Sequence, residues 1–75
     1  MRIWSFPTRI GTLRIVECPD GSFVSYCADD EGNSYLSPDD AADDFFTHHS
    51  GCDRWDNCSL DIPDGLEEWL FHDLR

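Results

Sequence analysis

The chain has 75 residues, of which 40% are hydrophobic and 13% are aromatic. A chain of this length predicts a single domain, 1–75, whose core is too small for a large internal catalytic cavity, because about 60% of the unfolded surface is buried at this size. Its formal net charge of -11, with 16 acidic residues against five arginines and no lysine, excludes direct nucleic-acid binding and attraction to anionic membranes.

The first half of the chain predicts strands. Ile3–Phe6 alternates as a strand does, and Thr12–Cys18 is rich in β-branched residues. Pro19-Asp20-Gly21 then has the composition of a tight turn with a bulge, which predicts a hairpin with Ser22–Cys27. In that register one face carries Leu13, Ile15, Phe23 and Cys27, and the other carries Arg14, Val16, Val24 and Tyr26. Because both faces are partly apolar, we expect each to be covered.

The second half predicts one main helix. Residues 28–33 are predicted as an acidic turn and Ser34–Leu36 as a short strand. Ser37 is a strong N-cap before Pro38, which predicts a helix over 38–49 that stops at Gly51. A loop around Trp55 follows.

The C-terminal part is open to two interpretations. Residues 63–68 predict a turn of helix, and 69–72 either continues that helix or forms a final strand, which we favour. The predicted fold class is therefore α+β: a small antiparallel sheet of three to five strands with one main α-helix packed on it.

The predicted helix carries four aspartates within six residues. Asp39 and Asp40 lie in the first turn, where the helix dipole stabilises negative charge by about 0.3–1 kcal/mol each. Asp43 and Asp44 follow at the i+4 spacing, where like charges destabilise a helix by about 0.2–0.5 kcal/mol per pair. This self-repulsion suggests that the acids serve a partner; the alternative is an ordinary solvated helix face. The predicted partner-binding residues are Asp29, Asp30, Glu31, Asp39, Asp40, Asp43 and Asp44.

Metal and catalytic motifs are poor. Cys52 and Cys58 are separated by five residues, whereas zinc sites usually have two between paired cysteines, and the adjacent His48 and His49 point in different directions on a helix. Residues 29–33 lack the alternating ligands of a calcium loop. Cys52 beside a histidine could form a thiol–imidazole pair, but no oxyanion or phosphate loop accompanies it. We therefore expect no enzyme activity, no metal and no cofactor.

The cellular location follows from missing targeting segments. No apolar run approaches the roughly 20 residues of a membrane span, and the N-terminal residues lack a hydrophobic signal core. We expect a cytoplasmic protein without membrane contact, whose four cysteines are reduced and partly buried.

Two resemblances extend these expectations. A pattern that includes Gly11–Ile15, Pro19-Asp20-Gly21, Tyr35–Asp44 and Ile62–Leu66 with Glu68-Trp69 resembles a group of short bacterial proteins of unassigned function. In size, acidity and lack of catalytic motifs, the chain also resembles phage-encoded anti-CRISPR proteins of the DNA-mimic type. That resemblance implies inhibition of a CRISPR Cascade or Cas effector by blocking its DNA-binding site, and it assigns no residue.

The expected function is therefore protein binding by acidic mimicry of nucleic-acid phosphates, with a basic surface of a nucleic-acid-binding protein as the partner. A first alternative is a generic interaction or dimerisation module that uses exposed aromatics such as Trp4, Trp55 or Trp69. A second alternative is a small zinc-stabilised domain. The sequence leaves open whether the protein forms homo-oligomers.

Overall fold

The predicted hairpin forms the centre of the sheet. The computed structural model describes residues 1–74, in which β2 (Gly11–Glu17) pairs with β3 (Phe23–Cys27) and Val16 lies opposite Val24. The Cys18 N–H donates to the Ser22 carbonyl at 2.8 Å, and Gly21 has a φ of +87°, which favours glycine. The turn chemistry of the sequence is confirmed.

Two further strands extend the sheet on one side. β1 (Arg2–Thr8) pairs with β2, and β5 (Leu70–Asp73) pairs with the outer edge of β1. With β4 (Asp30–Tyr35), which pairs with β3, the five strands form an antiparallel sheet in the order β4-β3-β2-β1-β5. The α+β fold class is confirmed, and so is the final strand that we favoured near the C-terminus.

The fourth strand differs from its prediction. Residues 28–33 were predicted as a turn, but the turn occupies only Ala28 and Asp29, and the strand begins at Asp30 and ends at Tyr35. The predicted strand at 34–36 therefore missed the first four residues of β4 and extended one residue beyond its end. The sequence of β4, DEGNSY, lacks apolar alternation because this strand lies at an edge of the sheet, where polar side chains reach water.

The main helix is shorter than predicted. α1 spans Pro38–Phe46, and the Ser37 hydroxyl accepts a hydrogen bond from the Asp40 N–H at 3.2 Å, as the N-cap prediction requires. Residues 47–49 were wrongly included in the helix, because His48 adopts a φ of +61° and ends it before Gly51. The His49 N–H donates to the Asp44 carbonyl at 2.8 Å and so supplies a backbone donor to an acceptor at the helix end.

The segment after α1 also differs from its prediction. The predicted loop around Trp55 contains a short helix, α2 (Asp53–Asp56). A turn of helix was predicted for 63–68, but residues 64–68 form bends and turns. No helix within residues 1–74 is long and apolar enough to cross a membrane.

The hydrophobic core lies on one face of the sheet, between the sheet, α1 and the following segment. Its buried apolar residues are Leu13, Ile15, Phe23, Cys27, Ala41, Ala42, Phe45, Cys52, Trp55, Ile62 and Trp69. On the opposite face Arg14, Val16, Val24 and Tyr26 are only partly buried, and none belongs to this core. The expectation that both faces are covered was wrong: the chain folds as one helical layer on one sheet, which is common for antiparallel sheets.

Candidate functional site

Three of the predicted helix acids form an exposed group. Asp39, Asp40 and Asp43 are exposed on α1, whereas Ala41, Ala42 and Phe45 on its other side are buried. The i, i+4 spacing places the Asp39 and Asp43 side chains about 6 Å apart at their Cβ atoms. We call Asp39, Asp40 and Asp43 the helix acidic surface.

Asp44 has a different position from its three neighbours on the helix. It is partly buried, and its Oδ2 accepts a hydrogen bond of 2.8 Å from the Tyr35 hydroxyl on β4. Burial, followed by this hydrogen bond to a carboxylate, raises the pKa of Tyr35 above its ordinary value of 10.0. The Asp44 carboxylate therefore ties α1 to the sheet, a structural role that its i+4 spacing from Asp40 did not indicate.

Of the three predicted acids around β4, Glu31 lies apart from the helix acidic surface. Asp29 is exposed in the turn, and Asp30 is partly buried, with its carbonyl accepting a hydrogen bond of 3.5 Å from the Cys52 thiol. Glu31 lies opposite Tyr26 in the sheet and accepts a hydrogen bond of 3.2 Å from its hydroxyl. Because Tyr26 is on the face that lacks the core, the Glu31 side chain and α1 lie on opposite sides of the sheet. Strand alternation in β4 therefore separates Glu31 from the helix acidic surface.

The arginines within residues 1–74 do not neutralise the helix acidic surface. The Arg2 guanidinium pairs with the Glu17 carboxylate at 2.8 Å, while Arg14 and Arg54 donate to the backbone carbonyls of Ala28 and Ile10. The hydrogen bond from Arg2 holds the pKa of Glu17 below its ordinary value. Within residues 1–74 no ion pair involves Asp39, Asp40 or Asp43. These three carboxylates are thus exposed and uncompensated in the described part of the chain.

Two exposed apolar side chains lie at either end of α1. Leu36 is 90% exposed immediately before the N-cap, and Phe46 is 43% exposed at the last helical position. A leucine before an N-cap often packs against the fourth helical residue, but here that residue is the small Ala41. That combination was the clue in the sequence that Leu36 would remain exposed.

A further acid has a structural role that the sequence did not reveal. Asp56 in α2 accepts hydrogen bonds at 2.8–2.9 Å from the Ser50 N–H and hydroxyl and from the Gly51 N–H. Gly51 has a φ of +84°, so the loop turns sharply around this carboxylate. Asp56 therefore fixes the path of the chain between α1 and α2.

The predicted metal and thiol–imidazole candidates are engaged elsewhere. The His48 ring stacks on Trp55 with ring centroids 4.9 Å apart, and its Nδ1 lies 3.0 Å from the Trp55 carbonyl oxygen. Cys52 is fully buried, and burial raises the pKa of its thiol. Across residues 1–74, no three His, Cys, Asp or Glu side chains are placed to hold a metal ion.

The aromatic residues named for a generic interaction module are mostly internal. Trp55 is fully buried, Trp69 is 6% exposed, and Trp4 is half-buried against Phe23 and Phe71. The expectation that Trp55 and Trp69 are exposed was wrong, because α2 and the segment before β5 bring them into the core. A module that binds through these two side chains is incompatible with this fold.

One open cavity lies apart from α1. It has a volume of about 290 Å³ and is lined by residues of the β2–β3 turn and the start of the chain: Met1, Glu17, Cys18, Pro19 and Gly21.

Comparisons of the chain with protein-family models, curated proteins and solved structures find no match. The candidate site therefore depends on geometry and charge alone.

Proposed function

We propose that this protein binds a basic surface of a nucleic-acid-binding protein through the helix acidic surface, and that it thereby competes with nucleic acid. The observation that carries the proposal is the exposure of Asp39, Asp40 and Asp43 without a cationic partner among residues 1–74. A partner's arginines and lysines would relieve the repulsion between these carboxylates, and the encounter would be accelerated by the net charge of -11.

The spacing of the carboxylates supports mimicry of phosphates. Side chains at i and i+4 lie about 6 Å apart on a helix, and each strand of duplex DNA carries a charge about every 3.4 Å along the axis. These distances are of the same order, so cationic side chains arranged for a phosphate backbone can reach carboxylates on α1. If the partner is a CRISPR effector, as the resemblance to DNA-mimic inhibitors implies, α1 would occupy its DNA-binding site.

The experiment is a pull-down from bacterial lysate with the immobilised chain, repeated between about 50 and 200 mM salt and with duplex DNA as competitor. We expect capture of DNA-binding proteins that both salt and DNA displace. The test variant is Asp39→Asn/Asp40→Asn/Asp43→Asn, and the matched control is Asp61→Asn/Asp64→Asn/Glu67→Gln, which removes the same charge from exposed positions outside α1.

Loss of capture in the helix variant with retention in the control supports the proposal. Equal loss in both variants would mean that only net charge matters, and unchanged capture in both would mean that another surface binds. Either result removes the proposed role of α1.

A further inference from the structure

Two fully buried cysteines from different parts of the chain meet in the core. Cys27 is the last residue of β3, Cys52 immediately precedes α2, and both are 0% exposed. Both are free thiols, as are Cys18 and Cys58. Two thiols held side by side can be joined as a disulfide where their backbone atoms are near enough.

The Cys52 sulfur lies against β4 at the level of Cys27. Its Sγ is 3.5 Å from the Asp30 carbonyl oxygen, and a Cβ added to Gly32 would lie 2.8 Å from that sulfur. Asp30 is the direct partner of Cys27 in the sheet, and residues directly opposite each other have Cβ atoms about 4.5–5.5 Å apart. Because Gly32 has no side chain, the Cys52 thiol fits next to the end of β3.

Each of the two cysteines also influences the acidity of the other. Burial raises the pKa of the Cys52 thiol, while nearby hydrogen-bond donors, the Cys27 N–H among them, act to lower it. Burial likewise raises the pKa of the Cys27 thiol, and the Cys52 thiol raises it further. These mutual effects agree with the contacts that Cys52 makes on β4.

Hydrogen bonds hold Cys52 in this place. The buried Ser25 hydroxyl on β3 donates to the Ser50 carbonyl at 3.0 Å, and the Asn33 N–H on β4 donates to the same carbonyl at 2.8 Å. The Cys52 N–H then donates to the Ser50 hydroxyl at 3.2 Å. The backbone that carries Cys52 is therefore attached to the two strands beside which its thiol lies.

The other two cysteines are less suitable partners for Cys27. Cys18 follows β2 at the turn end of the hairpin, whereas Cys27 lies at the opposite end of β3, at least about 13 Å away along the strand. A disulfide spans at most roughly 7 Å between Cα atoms. Cys58 follows α2, is only partly buried, and raises the pKa of Cys27 less than Cys52 does.

We propose that Cys27 and Cys52 are a disulfide site, oxidised by a small-molecule disulfide such as oxidised glutathione while both thiols are still accessible during folding. One cysteine thiolate attacks a sulfur of oxidised glutathione, forms a mixed disulfide and releases one glutathione thiolate. The other cysteine thiolate attacks the protein sulfur of the mixed disulfide, forms the Cys27–Cys52 bond and releases the second glutathione thiolate. The released thiolates take up the two protons lost by the cysteines, so two protein thiols are oxidised and one glutathione disulfide is reduced.

This bond would close a loop that carries the helix acidic surface. Residues 28–51, between the two cysteines, include all of β4 and α1. A bond across them restricts the unfolded chain and so favours the folded state. The proposal is independent of the proposed function, because its test involves no partner.

The test is refolding of the full chain from denaturant in oxidised and in reduced glutathione, followed by alkylation of the remaining free thiols. Cleavage before aspartate places each of the four cysteines in its own peptide, so mass spectrometry can identify every linkage. The four peptides are 1–19, 20–28, 44–52 and 56–60. We expect oxidative refolding to join 20–28 to 44–52 and to leave the other two peptides unlinked.

Two variants separate this bond from other effects of oxidation. Oxidation should lower the equilibrium constant of unfolding in urea at least about tenfold, both for the wild type and for Cys18→Ser/Cys58→Ser, which keeps the pair. Cys27→Ala/Cys52→Ala removes the pair, and its equilibrium constant should be the same in both buffers. If that variant does not fold, the linkage found in the wild type decides the matter.

A main product that links Cys27 to Cys58, that involves Cys18 or that joins two copies of the chain would overturn the proposal. So would free Cys27 and Cys52 thiols after oxidative refolding. A Cys27–Cys52 bond that makes unfolding easier would also overturn it, since the fold would then not accommodate the bond.

Discussion

The Tyr35 hydroxyl donates a hydrogen bond of 2.8 Å to the Asp44 carboxylate and so joins α1 to the edge strand β4. This contact separates the four helix acids into one that holds the fold and three that face solvent. The candidate binding surface is therefore Asp39, Asp40 and Asp43, and variants of Asp44 are unsuitable for testing it because they would also disturb the packing of α1.

Alanine substitutions of Asp43 and Asp44 should change the free energy of unfolding in opposite directions. Asp44→Ala leaves the Tyr35 hydroxyl without its acceptor and should lower the free energy of unfolding by about 1–3 kcal/mol. Asp43→Ala removes a like-charge i, i+4 repulsion and introduces the best helix former, so it should raise that free energy by about 0.2–1 kcal/mol. Urea denaturation of the two variants checks this. Equal destabilisation would show that Asp43 has a structural role too.

Tyr35 should make the fold sensitive to alkali. Burial and the Asp44 carboxylate raise its pKa above the ordinary value of 10.0, so its neutral form is favoured in the folded state. The stability gained is fully present below pH 10 and is lost as the pH rises through the folded-state pKa. The free energy of unfolding, measured between about pH 9 and 12, should fall more steeply with pH for the wild type than for Tyr35→Phe. Parallel curves would contradict this account.

His48 ends α1 with a backbone conformation that glycine usually adopts. Its φ of +61° costs roughly 1–2 kcal/mol, while its ring stacks on Trp55 and bonds the Trp55 carbonyl. His48→Ala keeps the strain and loses the ring, so it should be less stable than the wild type. His48→Gly loses the ring without the strain and should be more stable than His48→Ala by about 1 kcal/mol. Thermal denaturation of the two variants tests this difference in stability. Equal stability of His48→Ala and His48→Gly would argue against backbone strain at this position.

The four cysteines should differ in reactivity. Cys27 and Cys52 are fully buried, and burial raises the pKa of both thiols, whereas Cys18 and Cys58 are only partly buried. A thiol reagent at neutral pH should label Cys18 and Cys58 first and should reach the other two only after unfolding. Mass spectrometry after a short labelling pulse identifies the modified sites. Early modification of Cys52 would contradict its buried position immediately before α2.

Local chemistry explains why much of the fold was predictable. The Pro19-Asp20-Gly21 turn and the Ser37 N-cap each act through neighbouring residues, and both are present as expected. β4 was predicted too short because its polar residues have no apolar alternation, and its pairing with β3 is what makes it a strand. The helix end was missed because a histidine occupies a position that normally indicates glycine.

The candidate site was only partly predictable because two of its determinants depend on tertiary contacts. Asp44 is distinguished from Asp43 only by Tyr35, which approaches α1 from the sheet. Glu31 is separated from the helix acidic surface by the alternation of β4, a strand that the sequence did not reveal at that position. The positions of the acidic residues along the chain indicated an acidic surface. Which of these acids lie together on it depends on tertiary contacts that the sequence did not show.

The central claim is that Asp39, Asp40 and Asp43 bind a positively charged protein surface. The most direct measurement is the dependence of the dissociation constant on salt, for the partner captured in the pull-down, with the wild type and the two triple variants. We predict a shallower dependence and weaker binding for Asp39→Asn/Asp40→Asn/Asp43→Asn, and near wild-type behaviour for Asp61→Asn/Asp64→Asn/Glu67→Gln. The same salt dependence in all three proteins would contradict the claim.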